Sequence, residues 1–521
     1  MAYMADGLSM KVTPTAPGTR GIGYHPASTV VADPPTTIAP DQADDDAAEL
    51  RRLGYAQQLR RSMGPFSSFA VAFSLISVFT GVFANFGHGL RHVGGAIVWS
   101  WLVVLAGQML LALVLAELST RFPISGYGYQ WTSRLVNPHF GFFVGWALTM
   151  QFLAGFPGVC ATLASATGSA LGGAWAEPRY TTALTLAVIA VTTVLHLYGI
   201  RLVSRVNDAG VWTEGVGVVL VSGSLIAVAW WSGAPVGRLL DSTSASTGQA
   251  ATAGHWALSL LVGAWCLTGF EAAADLAEET QSPRRVVPRA MLMSLASAGI
   301  GGFLLLAGLL LAVPDLSDAQ HAADPLRAAL DHALGPRLTP VVLVVVCVSV
   351  FACALSSMAA TSRLLFALGR DRMLPGGSWL AHVAEGHHTP RNAILFTWVV
   401  TSVVVLLVPT LDLITQISAV AGYLGYAGIV VAALSARLPP AGGDAVFGLG
   451  RARPWIAVAA LAWTLGLVAA LTIPATDIPG VGPTHWPAQS TAAALTVGAL
   501  IYFFVVRGRL LRGDAGPPHG D

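Results

Sequence analysis

Two carboxylates lie inside long apolar runs of this chain, Glu271 in Gly269-Phe270-Glu271 and Glu214 in Trp212-Thr213-Glu214-Gly215. A carboxylate at membrane depth costs about 2.5–3.5 kcal/mol on insertion scales, so it persists where it faces a cavity, meets a partner or exchanges a proton. Both are therefore candidates for carrying a coupling proton. The competing readings are that Glu271 ties down a broken helix by accepting backbone N–H bonds, and that Glu214 is a fixed hydrogen bond between spans. The run around Glu271 is interrupted at Cys266-Leu267-Thr268-Gly269-Phe270-Glu271, and a matching interruption, Ser77-Val78-Phe79-Thr80-Gly81, falls in the first apolar run. A helix broken in hydrocarbon must turn its freed N–H and C=O groups toward protein, water or a solute, because lipid offers no partner. Breaks at corresponding places in two halves of a chain point to a solute site near the bilayer midplane. The half-helix N-termini suit a carboxylate and the opposing carbonyls an ammonium, so a zwitterion or ω-amino acid fits both.

Ser77, Thr80, Gly81, Val82, Trp265, Thr268, Gly269 and Phe270 are the candidate substrate-contacting residues on this reading. Each has a packing alternative: Thr80 and Gly81 could simply let helices approach closely, and Trp265 and Phe270 could be core aromatics. Tyr423 and Tyr426, at i and i+3 on one face of a later run, are gating candidates on the same terms. Cys160, Cys266, Cys347 and Cys353 all fall within apolar segments, which indicates small packing residues and neither a disulfide framework nor a zinc motif. His387-His388 has no ligand spacing around it. No Ser/His/Asp cluster, His-x-x-x-His pair or nucleotide-binding Gly-rich loop occurs, which argues against an enzyme, a cofactor or ATP drive.

The elements that must position these residues are membrane spans. With 54% hydrophobic and 11% charged residues and a mean hydropathy of +0.65, the chain suits lipid, not water, as its solvent. Runs long enough to cross about 30 Å of hydrocarbon at about 1.5 Å per residue occur near 66–90, 94–117, 139–171, 180–200, 206–231, 256–280, 289–313, 338–368, 391–409, 411–436, 454–473 and 488–506. With the N-terminus inside, these twelve place 23 of the 28 Lys and Arg on the cytoplasmic side, leaving only Arg91, Arg179, Arg238, Arg327 and Arg337 outside. The positive-inside rule thus favours an all-α integral membrane protein of the cell membrane with both termini cytoplasmic. The net charge of +1 and the absence of a basic tract argue against nucleic acid as a partner.

The remaining segments read as accessories. Residues 1–43 are expected to be a disordered tail without a cleaved signal, and 44–62 a short interfacial helix. The Ser/Thr/Gly/Ala-rich stretch 233–254 is expected to be a flexible outer loop, and 513–521 a polar tail. The run Glu278, Glu279, Arg284, Arg285 and Arg289 reads as a structural latch on the cytoplasmic face.

Four segments carry a family resemblance. Ser74-Leu75-Ile76-Ser77-Val78-Phe79-Thr80-Gly81-Val82-Phe83 resembles the first-helix signature of the amino acid–polyamine–organocation (APC) transporters. Ala116-Glu117-Leu118-Ser119-Thr120-Arg121-Phe122-Pro123, Gly269-Phe270-Glu271 with the following Glu278-Glu279-Thr280, and Ser362-Arg363-Leu364-Leu365-Phe366-Ala367-Leu368-Gly369-Arg370-Asp371 match in family order. Within the superfamily the look is that of the amino acid/choline branch, which includes GABA permeases. The resemblance implies twelve transmembrane helices, with a five-plus-five inverted repeat over 66–231 and 256–436 and broken first and sixth helices. An N-terminal segment 1–65, an outer loop 232–255, peripheral spans 437–507 and a tail 508–521 complete that division. It implies a permease for amino acids or related amines, with a small-molecule substrate, a coupling ion and the lipid bilayer as partners. It also favours a substrate-facing or gating Trp265. Some proton-coupled relatives carry a lysine where Glu214 stands, seven residues beyond Asn207, and sodium-coupled relatives make Ser356 and Ser357 candidate sodium ligands. A choline or polyamine permease, a sodium-coupled carrier or exchanger, a sensor without transport, a membrane enzyme and a major-facilitator architecture are the alternatives.

Overall fold

A computed structural model describes residues 40–57, 61–172, 175, 177–198, 200–322, 324–383, 389–408, 410–436, 438, 447–472 and 486–518. Lys11, Arg20, Arg60, His387, His388, Pro409 and Arg437 lie outside the described residues. Secondary structure among those described is helical, with two isolated bridges and no strand. In chain order the helices are α1 (Pro40–Arg52), α2 (Pro65–Ile76), α3 (Val78–Val93), α4 (Ile97–Arg121), α5 (Tyr127–Leu135), α6 (Pro138–Leu171), α7 (Pro178–Tyr198) and α8 (Ile200–Trp231). Then follow α9 (Ala253–Ser259), α10 (Leu261–Cys266), α11 (Ala272–Asp275), α12 (Pro283–Ala312), α13 (Leu316–His321), α14 (Pro325–Arg370) and α15 (Gly377–Leu380). The chain closes with α16 (Arg391–Leu407), α17 (Leu411–Ser435), α18 (Arg453–Thr472), α19 (Trp486–Ile501) and α20 (Arg507–Leu511).

Helices cover all twelve apolar runs, and nine stretches among the described residues are long and apolar enough to cross a membrane, one of them uniting α2 to α4. The shorter apolar helices Ala253–Cys266 and Arg391–Leu407 fall in two further runs. The first is short because the chain is broken there. Many large apolar side chains on the outer helices face away from the protein, among them Leu220, Val344, Leu406 and Phe504. The buried core lies where α14 and α17 each pack on α6 and where α12 packs on α4 and α8.

Both breaks are present, but the first is narrower than its motif. Only Ser77 leaves the helical conformation (φ 35°, ψ 99°), and its side chain accepts from the Thr80 N–H, capping α3. Thr80, Gly81 and Val82 are therefore helical residues of α3. Gly81 is small because α10 crosses there: a methyl group would overlap the Cys266 side chain and stand 3.0 Å from the Cys266 Cα. The second break is longer, running from Leu267 to Glu271, and it turns on Gly269 at φ +97°.

Two accessory segments differ from their sequence expectation. The N-terminal helix is Pro40–Arg52, not 44–62. Beyond it Tyr55 is buried and Arg61 donates to the Ala277 and Thr280 carbonyls, so the segment is held on the protein by carbonyls at the end of the broken helix. The stretch 233–254 is pinned, not loose: Ala96 N–H donates to the Asp241 carbonyl, Ala245 N–H to the Arg91 carbonyl, and the Gln320 amide to the Thr243 carbonyl. These bonds satisfy backbone groups left open where α3 ends. Low hydrophobicity did not report them because the stabilising partners belong to distant segments.

Single cysteines at the exposed positions Gln249 and Arg285 test the orientation. A membrane-impermeant maleimide applied to intact cells should label the first and spare the second. Labelling of both from the same side would overturn the span order.

Candidate functional site

The freed backbone groups at the breaks have protein partners. The thiol of Cys266 faces the Ile76 and Ser77 carbonyls at 3.8 and 3.6 Å, and that of Cys353 faces the Leu75 carbonyl at 3.5 Å. At the second break, the Gln108 amide of α4 donates to the Leu267 carbonyl at 2.8 Å, the Thr268 hydroxyl to the Trp265 carbonyl at 2.7 Å, and the Tyr423 hydroxyl to the Ala264 carbonyl at 3.1 Å. Two of the cysteines thus do more than fill space; they sit against the carbonyls at the first break.

A small cavity of ≈ 40 Å³ lies where the two breaks meet. Leu75, Ile76 and Thr80 line it from α2 and α3, and Trp265, Cys266, Thr268 and Gly269 from α10 and the second break. Gln151, Phe152 and Phe156 of α6, Cys353 and Ser357 of α14, and Ser418 of α17 complete the wall. Of the sequence candidates, Thr80, Trp265, Thr268, Gly269 and Ser357 line the cavity. Ser77, Gly81, Val82 and Phe270 are buried in the packing around it and are not in its lining. Gln151 was legible as a polar residue inside an apolar run. The phenylalanines, Cys353 and Ser418 carry no such signal, since only the packing of α6, α14 and α17 brings them to the breaks.

Glu271 is fully buried just behind Gly269. Its carboxylate accepts from the Tyr426 hydroxyl at 2.5 Å, the Gln151 amide at 3.3 Å and the Gly269 N–H at 3.0 Å, so it joins the second break to α6 and α17. Tyr426 stacks on Phe270 with ring centroids 6.4 Å apart and meets Tyr423 edge-on at 5.8 Å. Both tyrosines are fully buried, braced against the second break. Glu214, 1% exposed, approaches the Phe79 N–H at 3.4 Å, so it sits at the N-terminus of α3. The Ser356 hydroxyl donates to Asn207 Oδ1 at 2.7 Å and approaches Ser74 Oγ at 3.2 Å, linking α14, α8 and α2. Beside Glu214 and Glu271, the apolar runs hold a further fully buried carboxylate, Asp275, four residues past Glu271.

At the Arg-rich end the ion pairs run between segments. Glu278 meets Arg370 at 3.6 Å, Glu279 meets Arg363 at 3.3 Å, and Arg284 meets Glu49 at 3.7 Å. Asp371 accepts from the Tyr55 hydroxyl at 3.0 Å, the Tyr129 hydroxyl at 2.8 Å and the Gln130 amide at 2.7 Å. Burial pushes the Asp371 carboxyl above the usual range, against the pull of Arg370 and of these donors.

Two interrupted helices meeting at a cavity are the arrangement in which secondary transporters hold a solute. Residues 63–501 match the amino acid permease family, and the chain belongs to that family. It is similar to the amino-acid permease BAT1 of Arabidopsis thaliana, with 27% identity over 67% of this chain and 73% of the relative. Similar matches are the amino-acid permease 2 of Neurospora crassa, with 26% identity over 77% of this chain and 75% of the relative, and the thiamine transporter thi9 of Schizosaccharomyces pombe, with 25% identity over 75% and 73%. The chain is a multi-pass membrane permease.

Proposed function

We propose that this permease is a secondary active transporter that moves an amino acid or related amine, such as GABA, across the plasma membrane by alternating access. We further propose that protons drive it. The observation that carries the reading is the cavity at the junction of the two breaks, with the buried Glu271 hydrogen-bonded to Gly269 in its wall. A solute held there touches both broken helices, so its binding bears on the elements whose rearrangement would open either side. Glu271 is placed to sense that contact, because one proton changes its hydrogen-bond capacity toward Gly269, Gln151 and Tyr426. Twelve spans, cytoplasmic termini and an inverted repeat over 66–231 and 256–436 are part of this proposal; the charge partition supports the first two and the matching breaks in the two halves support the third.

A second reading is favoured by one feature of the site. The amides that would receive a substrate carboxylate already have acceptors: Phe79 has Glu214, Thr80 has Ser77, and Gly269 has Glu271. The lining carries no basic side chain and includes Phe152, Phe156 and Trp265. This arrangement supports a cationic amine such as choline or a polyamine, held by aromatic faces and carbonyls. Uptake into proteoliposomes of labelled neutral amino acids, GABA, choline and spermidine, with and without an inward proton gradient and with and without sodium, separates the readings. Proton-stimulated uptake of amino acids or GABA supports the first; uptake confined to choline or spermidine supports the second.

A further inference from the structure

Glu271, Asp275 and Glu278 follow one another beyond the second break: Glu271 precedes α11, Asp275 ends it, and Glu278 lies in the 3-10 turn that follows. All three are fully buried. The outer two are held: Glu271 by Tyr426, Gln151 and the Gly269 N–H, and Glu278 Oε1 by the Ser125 N–H at 3.2 Å and by Arg370. Asp275 between them has no hydrogen bond to either carboxyl oxygen. The Gly126 N–H faces it without reaching hydrogen-bond geometry. The Tyr127 hydroxyl of α5 is likewise fully buried and without a hydrogen bond, and it lies within electrostatic reach of both Glu271 and Asp275. Glu278 Oε2 is buried and unbonded as well.

A buried carboxylate without donors loses its hydration with nothing in exchange, whereas the protonated acid carries no charge and brings its own donor. The ionisable groups that act on Asp275 are Glu271, just before α11, and Arg363 on α14; Tyr127 of α5 lies within electrostatic reach, and Glu278 and Glu279 of the adjoining turn are not among the charges that act on it. α2, also packed against this segment, has no ionisable residue, and none of the arginines of α12 is among the charges that act on it. We propose that Asp275 is a proton-binding site of its own, exchanging protons with Glu271 behind the cavity, with the Tyr127 hydroxyl as the bridge between them. In that step the phenol gives its proton to the Asp275 carboxylate as it accepts one from the Glu271 acid. One proton moves, and the phenol is restored. The inference rests on the proton-coupled reading above.

The test uses the full chain in liposomes with a trapped pH-sensitive dye and a tritiated mixture of neutral amino acids and GABA. Proton-driven accumulation is compared with counterflow, the exchange of labelled for unlabelled solute at equal pH. A positioned proton-transfer group is worth about 100-fold in rate. Asp275→Asn should therefore depress proton-driven accumulation and dye-reported proton entry by about that factor relative to counterflow. Tyr127→Phe, which keeps the ring and its packing, should shift the same ratio in the same direction. A purely structural role would lower accumulation and counterflow together, and that result in the two variants overturns the proposal. Should Asp275→Asn fail to insert, a wild-type ratio in Tyr127→Phe overturns it alone. Wild-type protein that accumulates solute without proton entry defeats the coupling reading itself; wild-type proton entry left unchanged in both variants defeats only the role of Asp275.

Discussion

Replacing Gly269 by leucine should abolish uptake while leaving the protein inserted. Gly269 holds φ +97°, a backbone conformation that side-chain-bearing residues reach only at a cost of about 1–3 kcal/mol. A Cβ there would stand 2.8 Å from Leu75 Cγ and 3.2 Å from the Leu75 carbonyl carbon. Leu75 and Gly269 both line the cavity, one from each broken helix, so the added side chain pushes the two apart at the point where a solute must touch both. The Gly269 N–H, which donates to Glu271, shifts with it. The check is uptake per inserted molecule in proteoliposomes, with Gly466→Ala as control, since Gly466 faces open space. Near-normal uptake by a well-inserted Gly269→Leu variant would remove the second break from the site.

Glu271→Gln should erase the stimulation of uptake by an inward proton gradient and flatten its pH dependence. Three donors converge on this carboxylate, from Tyr426, Gln151 and Gly269. Hydrogen bonds to a charged group are worth about 1.5–3 kcal/mol each, so their strength changes when a proton arrives. Glutamine keeps the length of the side chain but cannot ionise, and its NH₂ must meet at least one of those donors. Coupling between two ligands is ordinarily about 5- to 150-fold, and the ratio of uptake with and without the gradient should fall from that range to near one. Glu214→Gln should act more weakly, because Glu214 faces the Phe79 N–H at the longer distance of 3.4 Å and Phe79 does not line the cavity, whereas Gln151 and Gly269, the partners of Glu271, do. If both variants keep wild-type pH dependence, or if uptake requires sodium at every pH, proton coupling fails. A sodium site beside Ser356 and Ser357 then becomes the better account.

The sequence alone determined the solvent of this protein, the places of its helices and the existence of two breaks. Those properties are local: an apolar run of sufficient length must close its backbone hydrogen bonds within itself in lipid, and Ser77 and Gly269 mark where it does not. It also marked Glu271, because a carboxylate in such a run needs a partner wherever the chain folds. Which residues face the cavity was decided by the tertiary structure. Thr80 and Val82 lie two residues apart in one helix, yet Thr80 lines the cavity and Val82 does not, because α10 packs across α3 on a particular face. Gly81 reads equally as a flexible point or a packing point, and only the crossing of Cys266 fixes it as the latter. The partners of Glu271 come from α6 and α17, 120 and 155 residues away, and the pinned stretch 233–254 takes its hydrogen bonds from the ends of α3 and from Gln320. No local pattern records such pairings, since each depends on the relative placement of helices that packing alone sets.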